Sequence, residues 1–165
     1  MSKLPKIISI IMIVAGGFMI VVGGVTYYLV HRELADEKIV VSDDATNFAG
    51  EPVEGPFTAY AEATVIKKHA SEIADGKTYA ELDRDDPNRA TVMDASFLRA
   101  SLFTSVVAFG VAALVAGLGI MFILIGVALL AIDKRLRAAA TVVETDPAPQ
   151  PAPVDPTPVE PVPAV

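Results

Sequence analysis

Two long apolar runs without a single charged residue constrain this chain more than any other feature. They cover residues 7–30 and residues 100–132. A helix needs about 20 apolar residues to cross the hydrocarbon core of a bilayer, which is about 30 Å thick. Inside lipid each backbone amide must also find its partner within its own segment, which favours helices. The pattern therefore predicts an all-α membrane protein built on a hairpin of two transmembrane helices.

The polar segments divide the rest of the chain into four parts. A short N-terminus, residues 1–6, precedes the first span, and a basic flank, residues 133–145, follows the second. Residues 31–99 carry fifteen acidic residues and eight Lys or Arg, and we expect them to form a small, acidic, mostly helical cap. Residues 146–165 hold eight of the twelve prolines, which is typical of an extended, disordered tail.

Positive charges at the span ends predict the orientation. Lys3 and Lys6 precede the first span, and Lys134, Arg135 and Arg137 follow the second. Short positive flanks tend to stay in the cytoplasm. We therefore expect a multi-pass protein of the plasma (inner) membrane with both termini cytoplasmic and the central segment extracytoplasmic. The first apolar run is longer than the core of a secretion signal, which favours an uncleaved anchor.

The second apolar run is longer than a bilayer requires. Its 33 residues would measure about 50 Å as a helix at 1.5 Å per residue, so we expect its outer end to project. Upstream, Asp86 followed by Pro87 is typical of a helix start. Apolar residues from Val92 to Leu102 then recur at helical spacing. We predict one continuous helix from about Pro87 through the membrane, and a charged extension of the first span over residues 31–38.

The middle segment contains shorter patterns. Residues 57–75 have a helical composition and precede Gly76, a residue that is common just past the end of a helix. A capping cluster at residues 42–44 predicts a short helical turn that ends at Gly50. The capping box at residues 78–81 predicts another short helix.

Small residues repeat at seven-residue spacing in both spans, and in the second span Ala112 and Ala116, and Ala113 and Gly117, are four residues apart. Both spacings place small residues on one side of a helix, where a second backbone can approach closely. We expect this side to pack the two spans against each other with a left-handed crossing. Contact with another copy of the chain or with a foreign membrane helix is the alternative. The candidate helix-packing residues are Gly16, Gly17, Gly23, Gly24, Gly110, Ala113, Gly117, Gly119 and Gly126.

No pattern in the sequence predicts a catalytic, cofactor or metal site. The chain has no cysteine, which excludes disulfides, thiolate metal sites and thiol nucleophiles. His31 and His69 are its two histidines, and a single histidine with Glu72 one turn away supplies too few ligands for iron or zinc. The spans contain no charged residue to line a transport path. The sequence has no cluster of basic residues of the kind that binds the phosphates of nucleic acids, so nucleic-acid binding is not expected.

Four stretches carry a resemblance to a known family. They are IVVSDDA at residues 39–45, GPFTAYA at 55–61, GKTYAELDR at 76–84 and TVMDASFLRASLFTSVVAFGV at 91–111. The chain resembles, over about residues 3–130, a family of small actinobacterial two-span membrane proteins often carried under the name "aromatic ring-opening dioxygenase LigA". The resemblance implies a cell-envelope protein whose outer segment faces a periplasm-like space. It implies no activity, because ring-opening dioxygenases hold iron on two histidines and a carboxylate, and this chain offers no such set.

These patterns favour a non-enzymatic protein of the cell envelope. We expect an accessory or assembly partner in a membrane complex, in contact with the lipid bilayer and with another copy or another membrane protein. The alternative is an extracytoplasmic module that binds or senses a cation, an envelope polymer or a peptide and signals through the spans. An enzyme is favoured by the family name alone.

Overall fold

The computed structural model describes residues 4–145, which form three helices and the two segments that connect them. The helices are α1 (Leu4–Asp36), α2 (Pro56–Ile73) and α3 (Arg89–Thr145). No strand forms within the described residues, so the all-helical prediction is confirmed for this part of the chain. The proline-rich tail predicted at residues 146–165 lies outside the described residues.

Helices α1 and α3 are long and apolar enough to cross a membrane. Within the most apolar eighteen-residue window of each helix, only 17% and 11% of the residues are buried inside the chain. The core helix of a water-soluble protein would be covered by other elements of the same chain. The length, composition and exposure of α1 and α3 therefore fit helices that face lipid.

Helix α3 runs without a break for 57 residues, about 85 Å at 1.5 Å per residue. It begins at Arg89, two residues after the start predicted at Pro87. The prediction that one helix joins the outer segment to the second apolar run is therefore confirmed. Just before it, the Asp86 carboxylate accepts the backbone N–H of Asn88 at 2.8 Å. The charged extension predicted for α1 is also present, since that helix continues to Asp36.

The register of the contact between α1 and α3 shows which residues at the outer ends of the two helices lie at the same level. A Cβ built on Gly23 of α1 would lie 2.7 Å from the carbonyl oxygen of Ala112 on α3. Because the two helices run in opposite directions, eight residues outward on each brings His31 level with Thr104. The polar start of the second apolar run thus lies beside the charged end of α1, which supports a projecting outer end.

The apolar residues of the outer segment pack on the two long helices as well as on each other. One side of α2 is fully covered, since Ala59 and Ala63 have no exposed surface. The rings of Tyr60 on α2 and Phe103 on α3 meet edge to face at 5.8 Å. A segment this small buries little surface alone, so its fold depends on packing against α1 and α3. The buried cluster at this junction contains Leu34, Val41, Val53, Ala59, Ala63, Leu102 and Phe109.

Helix α2 ends close to the predicted position. Its last helical residue is Ile73, and the chain then turns at Gly76, whose φ of +82° lies in the left-handed region. The N–H of Gly76 donates to the carbonyl of Ser71 at 2.7 Å. This bond pairs a carbonyl that the helix itself leaves unpaired.

The helical turn predicted before Gly50 does not form. Residues 43–50 make turns and bends instead. The chain on either side pairs with itself: Val41 N–H donates to Glu51 O at 2.9 Å, and Val53 N–H donates to Ile39 O at 2.8 Å. This short antiparallel pairing, with one β-bridge at residues 40 and 52, closes the intervening segment into a loop and leaves no room for a helix.

The capping box predicted at residues 78–81 forms, but no α-helix follows it. The backbone N–H and hydroxyl of Thr78 donate to the Glu81 carboxylate at 2.7 and 2.8 Å, and these bonds lower the pKa of Glu81. Arg89 then fixes the chain in a non-helical path. Its guanidinium donates to the carbonyls of Tyr79 and Leu82 and lies 4.2 Å from the centre of the Tyr79 ring.

Candidate functional site

The contact between α1 and α3 brings two glycines together at its centre. A Cβ added to Gly16 would lie 2.5 Å from the carbonyl oxygen of Gly119, and a Cβ added to Gly119 would lie 2.6 Å from that of Gly16. Real Cβ atoms do not approach other heavy atoms closer than about 3.0 Å. Only glycine fits either position unless the two backbones move apart.

The same close approach recurs on both sides of this pair. A Cβ on Gly23 would meet Ala112 at 2.7 Å, and one on Gly126 would meet the carbonyl oxygen of Ser9 at 2.8 Å. Ser9 is fully buried, and its hydroxyl donates to the carbonyl of Pro5, one turn earlier, at 2.7 Å. The backbones of α1 and α3 are therefore in contact over about two turns on each side of the central glycines.

The other five candidate packing residues lie outside this contact. A Cβ on Gly17, Gly24, Gly110 or Gly117 would have nothing within 4 Å, and Ala113 is exposed. The structure thus brings together Gly16, Gly23, Gly119 and Gly126, and leaves the remaining candidates facing outward.

A longer series of small residues distinguishes the buried glycines from the open ones. The open pairs stop after two members, because Ile10 precedes Gly17 by seven residues and Leu124 follows Gly117 by seven. In the contact, at least three small residues follow one another at this spacing on each helix. They are Ser9, Gly16 and Gly23 on α1, and Ala112, Gly119 and Gly126 on α3, where Ser105 continues the series.

A buried acid that the sequence does not single out fastens the loop after α1 to α2. Glu62 is 7% exposed. One of its carboxylate oxygens accepts the backbone N–H of Ser42 at 2.8 Å, and the other accepts the Ser42 hydroxyl at 3.2 Å. Residues 42 and 62 are twenty positions apart, so local spacing gives no signal for this pair.

A second contact between this loop and α2 is an ion pair on the surface that involves Asp44. Its Oδ2 lies 2.9 Å from Lys68 Nζ and 3.0 Å from His69 Nε2. The hydrogen bond from Lys68 and then that from His69 lower the pKa of Asp44 to about 2. The same contact raises the pKa of Lys68. The loop before α2 is thus tied to α2 by a buried carboxylate and by an exposed ion pair.

The lowered pKa of Asp44 predicts how this loop responds to acid. A carboxylate whose pKa falls on folding stabilises the fold above its ordinary value, here 3.8, and loses that contribution as the pH falls through about 2. Backbone amides of residues 42–50 should exchange hydrogen faster in Asp44→Asn than in the wild type at pH 5. The difference should shrink towards pH 1.5. A difference that persists unchanged at low pH would contradict this assignment.

The two histidines lie in separate contacts. His31 Nδ1 is 2.6 Å from the backbone carbonyl of Glu54, so that nitrogen carries the proton, while His69 contacts Asp44. Among residues 4–145, no group of three or more histidines and carboxylates is arranged to hold a metal ion. Both histidines connect the outer loop to a helix.

Comparisons of the chain with models of known protein families, with curated proteins and with solved structures found no match. The contacts described above are therefore the basis on which a function can be proposed.

Proposed function

We propose that this chain is an integral protein of the plasma membrane and cell envelope that acts as a non-catalytic accessory or assembly partner in a membrane complex. In this proposal α1 and α3 span the bilayer, both termini are cytoplasmic, and residues 31–99 lie outside. The positive residues beside both inner ends of the spans support this orientation. The family resemblance remains a prediction that is compatible with it.

The open glycines carry the proposal. The hairpin already satisfies its own close packing through Gly16 and Gly119, yet Gly110 and Gly117 leave a second shallow surface on α3. Seven residues correspond to nearly two helical turns, so these two glycines lie on the same side of the helix. In lipid, close packing of backbones is a main source of helix association. A further helix, from another copy or from another membrane protein, would fit there.

The proposal predicts that Gly117→Leu removes a partner without unfolding the hairpin. A leucine at this position has open space around it, so α1 and α3 should stay together while the shallow surface is filled. The full chain should first sediment with membranes after lysis without detergent. Crosslinking in intact cells and the size of the particle in mild detergent would then report on bound partners.

Val127→Leu is the matched control, because it adds bulk at an apolar α3 residue that is already 52% exposed and carries no glycine. Its partners and particle size should equal those of the wild type. Unchanged partners and size in Gly117→Leu would overturn the role proposed for the open glycines. Recovery of the wild-type chain in the supernatant would overturn the membrane location.

A binding or sensing module is the second candidate. The observation in its favour is that α3 is continuous from the outer segment through the second apolar run. If Gly117→Leu keeps its partners but the thermal unfolding of the chain responds to an added ligand, this second function is the better description.

A further inference from the structure

A cavity of about 420 Å³ lies between α2, the start of α3 and the loop that joins them. Its volume is within the range of small-molecule sites. Much of its lining is apolar and includes Ile66 on α2, Tyr79 in the loop and Val92 on α3. This cavity is separate from the glycine surfaces of the spans.

All the charged residues that line the cavity are basic. They are Lys67, Lys77 and Arg99, although the segment from residue 31 to residue 99 contains fifteen acids and eight Lys or Arg. Within the described residues, the ion pairs of the chain involve none of these three cations. Glu81 lies outside the lining and accepts two hydrogen bonds from Thr78. The charge of Lys77 also helps to lower the pKa of Glu81, so Lys77 is partly neutralised, whereas Lys67 and Arg99 are not within the range that the structure describes. The cavity therefore favours a negatively charged group inside an otherwise acidic segment.

Arg99, which lines the cavity, has a buried donor without a partner. Its Nε is buried and has no hydrogen-bond partner in the described part of the chain, while its guanidinium carbon lies 5.1 Å from the centre of the Phe103 ring. A buried donor without an acceptor is rare in folded proteins. The planar guanidinium donates several parallel hydrogen bonds, a geometry that matches phosphate oxygens.

The position of Arg99 along α3 relates the cavity to the membrane surface. His31 on α1 is level with Thr104, and Arg99 lies five residues further out, about 7.5 Å along the helix. The uncharged run of α3 begins at the next residue, Ala100. Val92, which also lines the cavity, is seven residues further out, about another 10.5 Å. If the helices span the bilayer, which is part of the function proposed above, Arg99 lies near the outer limit of the headgroup layer and the cavity extends from it away from the membrane.

We propose that this cavity binds a phosphate-bearing amphiphile. Its phosphate lies at Arg99 and Lys77 with Lys67 nearby, and its apolar part lies against Ile66 and Val92. An anionic lipid headgroup and a soluble phosphate compound share this chemistry. The apolar lining favours an amphiphile over bare phosphate, because bare phosphate would leave that surface without a partner.

Calorimetric titration of the full chain in a zwitterionic detergent tests the proposal. The probes are dihexanoyl phosphatidylglycerol, dihexanoyl phosphatidylcholine and inorganic phosphate, each below its micellar concentration where it has one. We expect the wild type to bind phosphatidylglycerol at least tenfold more tightly than phosphatidylcholine. Arg99→Gln should weaken phosphatidylglycerol binding about tenfold, the loss of roughly one charge-assisted hydrogen bond.

Lys77→Gln changes an exposed loop residue and should weaken binding without affecting the fold. It therefore still tests the proposal if the Arg99 variant does not fold. Arg32→Gln is the matched control: it removes the same charge from an exposed residue of α1 that lies outside the cavity, about 6 Å nearer the membrane than Arg99. Its binding should equal that of the wild type. Equal weakening in the Arg32 and Arg99 variants, equal affinity for the two lipids, or no binding at all would overturn the proposal.

The titration with inorganic phosphate distinguishes an anionic lipid from a soluble phosphate compound. Binding of phosphatidylglycerol without measurable binding of phosphate supports a lipid, whereas comparable affinities support a soluble phosphate compound. These titrations do not depend on a partner, so the cavity proposal can hold even if Gly117→Leu shows that the accessory role is wrong.

Discussion

Gly119→Leu should separate α1 from α3 and lower the free energy of unfolding of the hairpin by about 3 kcal/mol, the upper end of the usual cost of overpacking. The physical reason is the 2.6 Å between a Cβ at this position and the carbonyl oxygen of Gly16. The obstructing atom is backbone, so it cannot rotate away as a flexible side chain would. The two helices must move apart, and the contacts on both sides of this pair are then lost.

Titration of the chain in mixed micelles with dodecyl sulfate, followed by circular dichroism, measures this effect. The unfolding midpoint of Gly119→Leu should fall well below that of the wild type. Gly17→Leu is the matched control, because it makes the same substitution at a glycine of α1 next to Gly16, where a Cβ meets nothing within 4 Å. If both variants unfold at the wild-type midpoint, or if both are weakened equally, the helix contact described here is wrong.

Glu62→Ala should have the second largest effect, because it removes the acceptor of both the half-buried backbone N–H and the hydroxyl of Ser42. Hydrogen bonds to a charged group contribute about 1.5–3 kcal/mol. We expect a loss of about 2–3 kcal/mol in the thermal unfolding of the full chain. The loop over residues 38–54 should also become sensitive to protease while α1 and α3 remain paired.

Glu62→Gln distinguishes this hydrogen bond from simple packing. The amide has nearly the same volume as the carboxylate, and its oxygen can still accept the N–H of Ser42. It should lose only about 1 kcal/mol, the usual contribution of a neutral hydrogen bond. If the Gln variant is as unstable as the Ala variant, charge rather than the acceptor at Ser42 controls the stability. If neither variant is destabilised, Glu62 does not fasten the loop.

The long helices could be predicted from the sequence because a single local property determines them. An apolar run without charges must pair its backbone internally, so residues 7–30 and 100–132 already indicate helices α1 and α3. The start of α3 was also visible, since Asp86 and Pro87 form a local signal. Helix α2 and its end at Gly76 follow the same logic, because a left-handed turn that ends a helix favours glycine.

The choice between neighbouring glycines could not be made from seven-residue spacing alone. Gly16 and Gly17 are adjacent in the chain, have the same spacing to a second glycine, and point about 100° apart on the helix. Only one of them can face α3. The third small residue in the series, Ser9, selects Gly16, but this became clear only once the contact was known.

The outer loop could not be predicted because its determinants are distant in sequence. The residues at 42–44 are typical of a helix cap, yet Ser42 bonds to Glu62 and Asp44 to Lys68. These partners lie on α2, beyond a loop that itself pairs residues 39–41 with 51–53. Tertiary contacts therefore override the local preference for a helical turn before Gly50.

The unbroken path of α3 has a mechanical consequence. Counting from the contact of Ser9 with Gly126, Leu4 is level with Ala131, and the helix continues fourteen residues beyond that level to Thr145, about 20 Å. A displacement of α3 at Arg99 would therefore be carried along one continuous helix, since residues 89–145 contain no proline that would kink it.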